Sequence, residues 1–286
     1  MVGLGIGSAR LSVARLASKR AVVVASGNGA WLSFVVEVPL ILCDIACPQY
    51  HAANACHIEV AGTRLKGAVV SKVHFDVDAV YCISLKARND RRELFEKTVS
   101  ALIDNPVIFH LVEKNQDPQR GCYESHQQLA QRALDEGLER VLIFEDDVKP
   151  YALKARQVRW INCFLRTRRF QALHLGYSMG SIWLTWFPFI ARGRVVALHA
   201  YILSREGCQI VAQAPYDGQP VDVMIKKKVK QHCAFPMMFR QHAACVTGSD
   251  LETVVRNEDI WWERNWDKHI RSALKNLWRT VLRLRF

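Results

Sequence analysis

Glu145, Asp146 and Asp147 stand side by side, directly after Val141-Leu142-Ile143-Phe144. Carboxylates this close repel one another, and withdrawing them from water unpaired is costly. Their oxygens suit hard divalent cations such as Mg²⁺ and Mn²⁺. Residue type and spacing therefore point to cation-assisted chemistry. The four apolar residues before them read as a short buried strand. That strand sets the acids at the rim of a sheet, where α/β folds bind ligands. Taken alone, three acids favour a solvated turn; the neighbouring elements reverse that.

Those elements begin at a composition change near Asp76. Ala79 to Leu85 reads as a buried strand, followed by a polar loop at Lys86 to Asp90. Asp90 is the expected N-cap of a helix that carries Leu94, Phe95, Val99, Leu102 and Ile103 on one face. Asn105-Pro106 stops that helix, and Val107 to Val112 reads as the next strand. A second helix carries Leu129, Ala130, Ala133 and Leu134, with Gly137 as its stop. Ser125 and His126 are expected in its first turn, where free N–H groups favour anions. The plainer alternative makes them a cap and a packed ring. Lys154 to Arg169 reads as a basic, exposed helix, and Gln171 to Leu175 as a strand. The aromatic run Ile182 to Ile190 reads as core, and Val195 to Leu203 as one further strand. A helix follows from Arg205 to about Ala214, and Pro220-Val221-Asp222 opens another. Phe235 to His242 reads as extended.

Across 286 residues, 39 Lys and Arg face 27 Asp and Glu, a formal net charge of +12. This balance favours an anionic partner: a nucleotide diphosphate, a lipid headgroup or a nucleic acid. Nucleic-acid binding accounts for the charge and leaves the acid cluster unexplained, so no nucleic-acid partner is expected. Nine cysteines without a paired framework read as reduced thiols in a cytosolic setting. Residues 1–74 form an appendage, expected to be poorly ordered, with a strand at Ala21 to Ala25. Cys43, Cys47, Cys56 and His57 in it are potential zinc ligands at a non-standard spacing, and buried thiols are the favoured reading. Glu37, Pro39 and Asp44 interrupt the apolar stretch from Trp31 to Cys47, which is too broken for a span of roughly 20 apolar residues. Arg15 likewise breaks Leu11 to Ala17 as a leader. The expected location is cytoplasmic or peripheral to a membrane. From Trp261 onward, Trp262, Trp266, Ile270, Leu274, Leu277, Trp278 and Val281 share one face of a basic helix. Such a helix suits either a membrane surface or packing on the domain. The division expected is 1–74, a catalytic domain at 75–259, and the C-terminal amphipathic helix at 260–286.

The ordered motifs resemble glycosyltransferase family 25, which includes lipopolysaccharide-biosynthesis and procollagen galactosyltransferases. Ile83-Ser84-Leu85 with Arg88, Asp90, Arg91 and Arg92 resembles the family's opening strand and Arg-rich loop. Gly121-Cys122 with Ser125-His126 and Phe144 to Val148 resemble its next two signatures. His199-Ala200-Tyr201, Pro220-Val221-Asp222, and Pro236 with Gln241 resemble its C-terminal blocks. Residue 84 is Ser where family members more often carry Asn. The resemblance covers roughly residues 76–252. It implies a GT-A-like, Rossmann-related α/β sandwich with a central mixed sheet. It implies a metal-dependent hexosyltransferase moving a sugar, such as galactose, from a UDP-sugar to an acceptor hydroxyl on a glycan, lipopolysaccharide or protein. The cofactor would be Mn²⁺ or Mg²⁺, held by Asp147 and Glu145. Ser84, Leu85, Arg88, Arg91, Ser125, His126, Glu145 and Asp146 would bind the donor, and Asp222 would serve with Asp147 as a catalytic residue. The alternatives are a nucleotidyl or phosphoryl transferase using the same acid cluster, a catalytically degenerate scaffold of the same fold, and a basic nucleic-acid-binding protein.

Overall fold

The computed structural model of the chain describes residues 10–15, 21–27, 30–36, 72–242, 258–277 and 280. The chain divides into two compact units, Met1–Ala68 and Val69–Phe286. In the first, β1 (Arg10–Arg15), β2 (Ala21–Gly27) and β3 (Ala30–Val36) make an antiparallel sheet. The strand expected at Ala21 to Ala25 lies within β2. Cys43, Cys47, Cys56 and His57 fall outside the described residues.

The second unit opens with β4 (Ala79–Leu85), α1 (Asn89–Phe95), β5 (Val107–Val112), α2 (Pro118–Asp135) and β6 (Arg140–Glu145). A π-helical turn, Glu96–Ser100, extends α1. There follow β7 (Val148–Pro150), α3 (Ala155–Thr167), β8 (Ala172–Gly176), β9 (Met179–Leu184), β10 (Ile190–Val196) and β11 (Ala200–Ser204). The remainder is α4 (Arg205–Ala212), α5 (Val221–Lys228), β12 (Gln231–Ala234), β13 (Phe239–Gln241) and α6 (Glu258–Lys275). Eight strands form one sheet in the order β5-β4-β6-β11-β8-β12-β10-β9. Strand β4 runs parallel to β5 and β6, whereas β11 is antiparallel to both β6 and β8. This is the Rossmann-related α/β sandwich with a central mixed sheet that the sequence predicts.

Helices cover both faces of the sheet, and strand alternation decides what goes where. Leu142 and Phe144 of β6 join one core, with Phe95, Val99 and Ile103 from the first helical segment and Val158, Ile161, Phe164 and Leu165 of α3. Val141 and Ile143 join the other, with Tyr123, Leu129, Ala130 and Ala133 of α2 and with side chains of α4 and α5. All four β6 residues are fully buried. A strand enclosed on both faces reads as the continuous apolar run seen in the sequence.

Several local expectations need correction. Helix α3 is amphipathic rather than simply exposed, because its basic residues punctuate an apolar stripe that docks on the sheet. The strand expected over Val195 to Leu203 is two strands, broken where Ala197 adopts φ 70°. Asp90 is not the N-cap of α1. Arg88 occupies that place, and Asp90 sits in the first turn, paired with Arg88 at 2.9 Å. The aromatic run is less a core element than expected: Ile182 is buried, but Trp186 is 53% exposed.

Helix α6 packs along β9 with a seam that keeps Trp266 from the stripe the sequence suggests and otherwise uses neighbouring positions. Trp266 stacks on Phe235 at 5.5 Å, and buried His269 meets the Ser178 carbonyl at 3.0 Å. Ser272 bonds both the amide and the carbonyl of Ile182, and Ala273 is buried. Leu274, assigned to the apolar stripe, is 53% exposed. Among the described residues, no helix is long and apolar enough to cross a membrane. Replacing Ala273 with Arg should overpack this seam and destabilise the unit by about 1–3 kcal/mol. Thermal denaturation checks this, and an unchanged melting temperature would show that α6 contributes no packing.

Candidate active site

The site lies where β4, β5, β6, β8 and β12 end and β11 begins. Because β11 runs antiparallel to β6, Ala200 pairs with Phe144, which brings His199 beside the acids. The carbonyl of His199 accepts the Glu145 amide at 3.1 Å. Gly176, at the end of β8, permits this crowding. A Cβ there would come within 2.3 Å of His199 Nε2 and 2.8 Å of the Phe239 carbonyl oxygen.

Alternation along β6 sends consecutive acids to different partners. Glu145 continues the parity of Val141 and Ile143, toward α2, and its Oε1 lies 3.6 Å from His126 Nε2. Asp146 continues the other parity, toward α1, and forms a buried ion pair with Arg91 at 2.9 Å. Asp147 follows in the turn. Its Oδ1 is buried and has no hydrogen-bond partner. The ribbon of β7 and β13 then places Gln241, whose Nε2 donates to Glu145 Oε2 at 3.2 Å.

The electrostatics follow this division. Burial pushes Glu145 upward, but His126, His199 and Gln241 outweigh it and hold the carboxyl below its usual range. Burial raises Asp146, and Glu145 adds to the rise; Ser84 and Arg91 offset only part of it. Asp147 has no adequate counter-charge. Burial first, then Glu145, pushes it up to about 8. Cys122 is also raised, by burial and then by Glu145, Asp222 and Asp147, so the fields of three acids converge on it.

Helix α2 starts earlier than expected. Asp117 caps it, accepting from the amides of Gln119 and Arg120, with Pro118 in the first turn. Ser125 and His126 are therefore well inside the helix, and the expectation that they sit among the free N–H groups of its first turn is overturned. Ser125 is buried and donates to the Gly121 carbonyl at 2.7 Å. His126 instead faces the sheet, with Nδ1 at 2.6 Å from the Tyr201 hydroxyl.

The Arg-rich loop braces the rim. Arg92 bonds the carbonyls of Leu85 and Lys86 and the hydroxyl of buried Ser84. Arg91 holds Asp146, and Arg88 holds exposed Asp90, whose carboxyl it keeps at about 2. Asp222 accepts from the amides of Ala197 and Val223, at 3.1 and 2.7 Å, and so braces the strained turn that leads into β11. Tyr201, Gln241, His199 and Cys122 also gather here, although only their motifs, not their roles, stand out in the sequence. A helical spacing of four did offer one signal: Cys122 and His126 must share a face of α2. A groove of about 450 Å³ between β9 and α6, lined by Ser181, Trp183, Lys268, Arg271, Ser272, Lys275 and Asn276, includes none of the acids.

No protein-family model and no curated protein matches the chain. Three similar solved structures illustrate the range of likeness. One is A197 from STIV, at 10% identity and TM-score 0.39, covering 60% of this chain and 85% of that one. A second is a mannose-1-phosphate geranyltransferase from Thermus thermophilus, at 10% and 0.35, covering 58% and 75%. The third is a UDP-glucose pyrophosphorylase complexed with UDP-glucose, at 10% and 0.37, covering 66% and 80%. The interpretation of the site rests on this chain's own residues.

Two measurements probe this geometry. Arg91→Ala leaves Asp146 as an uncompensated buried charge and should cost about 3–5 kcal/mol in urea denaturation. Removing both charges, with Arg91→Leu and Asp146→Leu together, should recover most of that loss. A double variant as unstable as the single would show that the pair is not the cause. The second measurement concerns His174, which stacks behind Tyr201 at 6.0 Å and has no hydrogen-bond partner on either ring nitrogen. Burial, then His199 and His232, lowers it from 6.5 to about 3. The unfolded chain therefore binds the extra proton between those values, and stability falls as pH drops through that window. His174→Asn should make the acid limb of a stability–pH curve shallower; an unchanged slope would remove His174 from the acid response.

Proposed function

We propose that the protein is a cation-dependent glycosyltransferase that moves a sugar from a nucleotide diphosphate to an acceptor hydroxyl. The observation that carries this is Asp147. It is a carboxylate in the rim's acidic cluster with one oxygen buried and unpartnered, next to a second carboxylate, in a chain of net charge +12. A carboxyl so placed is poorly solvated as an anion and lacks a protein cation of its own. That donor set fits a hard divalent ion. Asp147 and Glu145 would hold Mn²⁺ or Mg²⁺, which when bound supplies neutralisation of the leaving diphosphate.

The remaining residues have assignable tasks. Arg91 holds Asp146 in place and so fixes the turn that presents Asp147. Arg92 and Ser84 keep the end of β4 and Leu85 in register for the donor. Arg88, at the start of α1, offers a planar cation to the nucleotide. His126 and Ser125 stabilise the α2 face of the donor cleft. Asp222 is the candidate base for the acceptor proton. Two backbone amides hold its carboxylate and fix its direction. A UDP-sugar such as UDP-galactose, and a hydroxyl on a glycan, lipopolysaccharide or protein, are the finer assignments that accompany this proposal.

Purified protein incubated with a panel of nucleotide sugars should release nucleoside diphosphate only when Mn²⁺ or Mg²⁺ is present. Asp147→Asn keeps the shape and removes the charge, so turnover should fall by at least about 100-fold, or roughly 3 kcal/mol of transition-state stabilisation, with an unchanged melting profile. Cation-independent turnover, or full activity in the variant, would dismiss the proposal.

A further inference from the structure

We infer that Cys122, His126 and Glu145 form a second cation site, selective for a soft divalent metal such as zinc, that shares Glu145 with the carboxylate pair. One donor atom from each of the three residues lies within 4.8 Å of the other two. The ligand set of one sulfur, one imidazole nitrogen and one carboxylate oxygen belongs to zinc or cobalt rather than to magnesium or manganese.

The separation of His126 and Glu145 is informative. At 3.6 Å, Nε2 and Oε1 are too far apart for a hydrogen bond. In a tetrahedral zinc site, with metal–nitrogen and metal–oxygen bonds of about 2.1 Å, two ligand atoms sit roughly 3.4 Å apart. The pair is spaced as the edge of such a tetrahedron.

The atoms facing away from that point are tethered. Nδ1 of His126 is held by the Tyr201 hydroxyl at 2.6 Å, leaving Nε2 directed at Glu145. The other oxygen of Glu145, Oε2, accepts from Gln241 at 3.2 Å, leaving Oε1 directed at His126. Such outer partners orient metal ligands and fix the imidazole tautomer. Cys122 lies one turn before His126 on α2 and is a free thiol; it and Glu145 are partly buried, whereas His126 is buried. Metal binding forms the metal–sulfur bond and releases the thiol proton to solvent. Three protein ligands leave a fourth position for water.

Sharing Glu145 has a regulatory consequence, which rests on the transferase assignment: zinc seated here takes Glu145 from Asp147 and inhibits the cation-dependent reaction. Binding itself does not depend on that assignment.

The test uses the purified full-length protein, stripped of metal and titrated with cobalt(II). A thiolate-to-cobalt charge-transfer band should appear at one equivalent and be bleached by zinc. It should vanish in Cys122→Ser and persist in Asp147→Asn. Tyr201→Phe should retain the band but weaken zinc affinity about 10–100-fold. Zinc should also shield Cys122 of the unaltered protein from alkylation, as read by mass spectrometry, which gives an answer even if Cys122→Ser fails to fold. Absence of the band, a band that survives Cys122→Ser, or alkylation unaffected by zinc would each overturn the site. Cobalt binding with no sugar transfer would leave the site standing and sink the transferase assignment. Transfer without the thiolate band would do the reverse.

Discussion

Three adjacent carboxyl groups at the end of a fully enclosed strand are the constraint on which this domain turns. Desolvated carboxylates need compensation, and the chain supplies it from every direction. Arg91 comes from α1, His126 from α2, and Gln241 from β13. Each of these elements also carries apolar residues into one of the two cores. Packing and charge compensation are therefore one arrangement. What they leave undone is Asp147, and that remainder is where the chemistry is assigned.

Much of the architecture was legible because two periods dominate the chain. Apolar runs of strand length alternate with helical stripes from Ala79 to Val148, and these dictate the parallel opening. The rim acids were legible for the same reason: the abrupt change from Phe144 to Glu145 marks where a strand emerges. Partner identity was less so. Ser125 looked like a capping residue by type, but Asp117 with Pro118 is a stronger start signal, and it moves the helix end by two turns. The inner face of α6 was legible only in part, because beside Trp266 its seam uses His269, Ser272 and Ala273, which hydrophobicity ranks low. Their contribution is hydrogen bonding to β9 and close approach, neither of which a count of apolar residues registers. The role of Gln241 could not be read locally at all, since its partner lies 96 residues away.

The antiparallel strand β11 enlarges what the rim can contain. In a purely parallel sheet, only loops that follow strands reach this edge. Here a strand also begins at it, so His199 and Tyr201 enter from the opposite chain direction. The strained turn at Ala197, braced by Asp222, is the cost of that reversal. The consequence is that residues from the second half of the domain stand behind helix α2 of the first half.

The bond from Gln241 to Glu145 also bears on how the chain reaches its native state. Strand β5 pairs with β4 at short sequence separation, and β4 with β6 and β6 with β11 at larger, similar separations, whereas Gln241 meets Glu145 only after 96 residues. Contacts of long sequence separation bear the greater loop-closure entropy and form slowly. Of these contacts, the one that the β7–β13 ribbon makes with the rim acids therefore carries the greatest loop-closure cost.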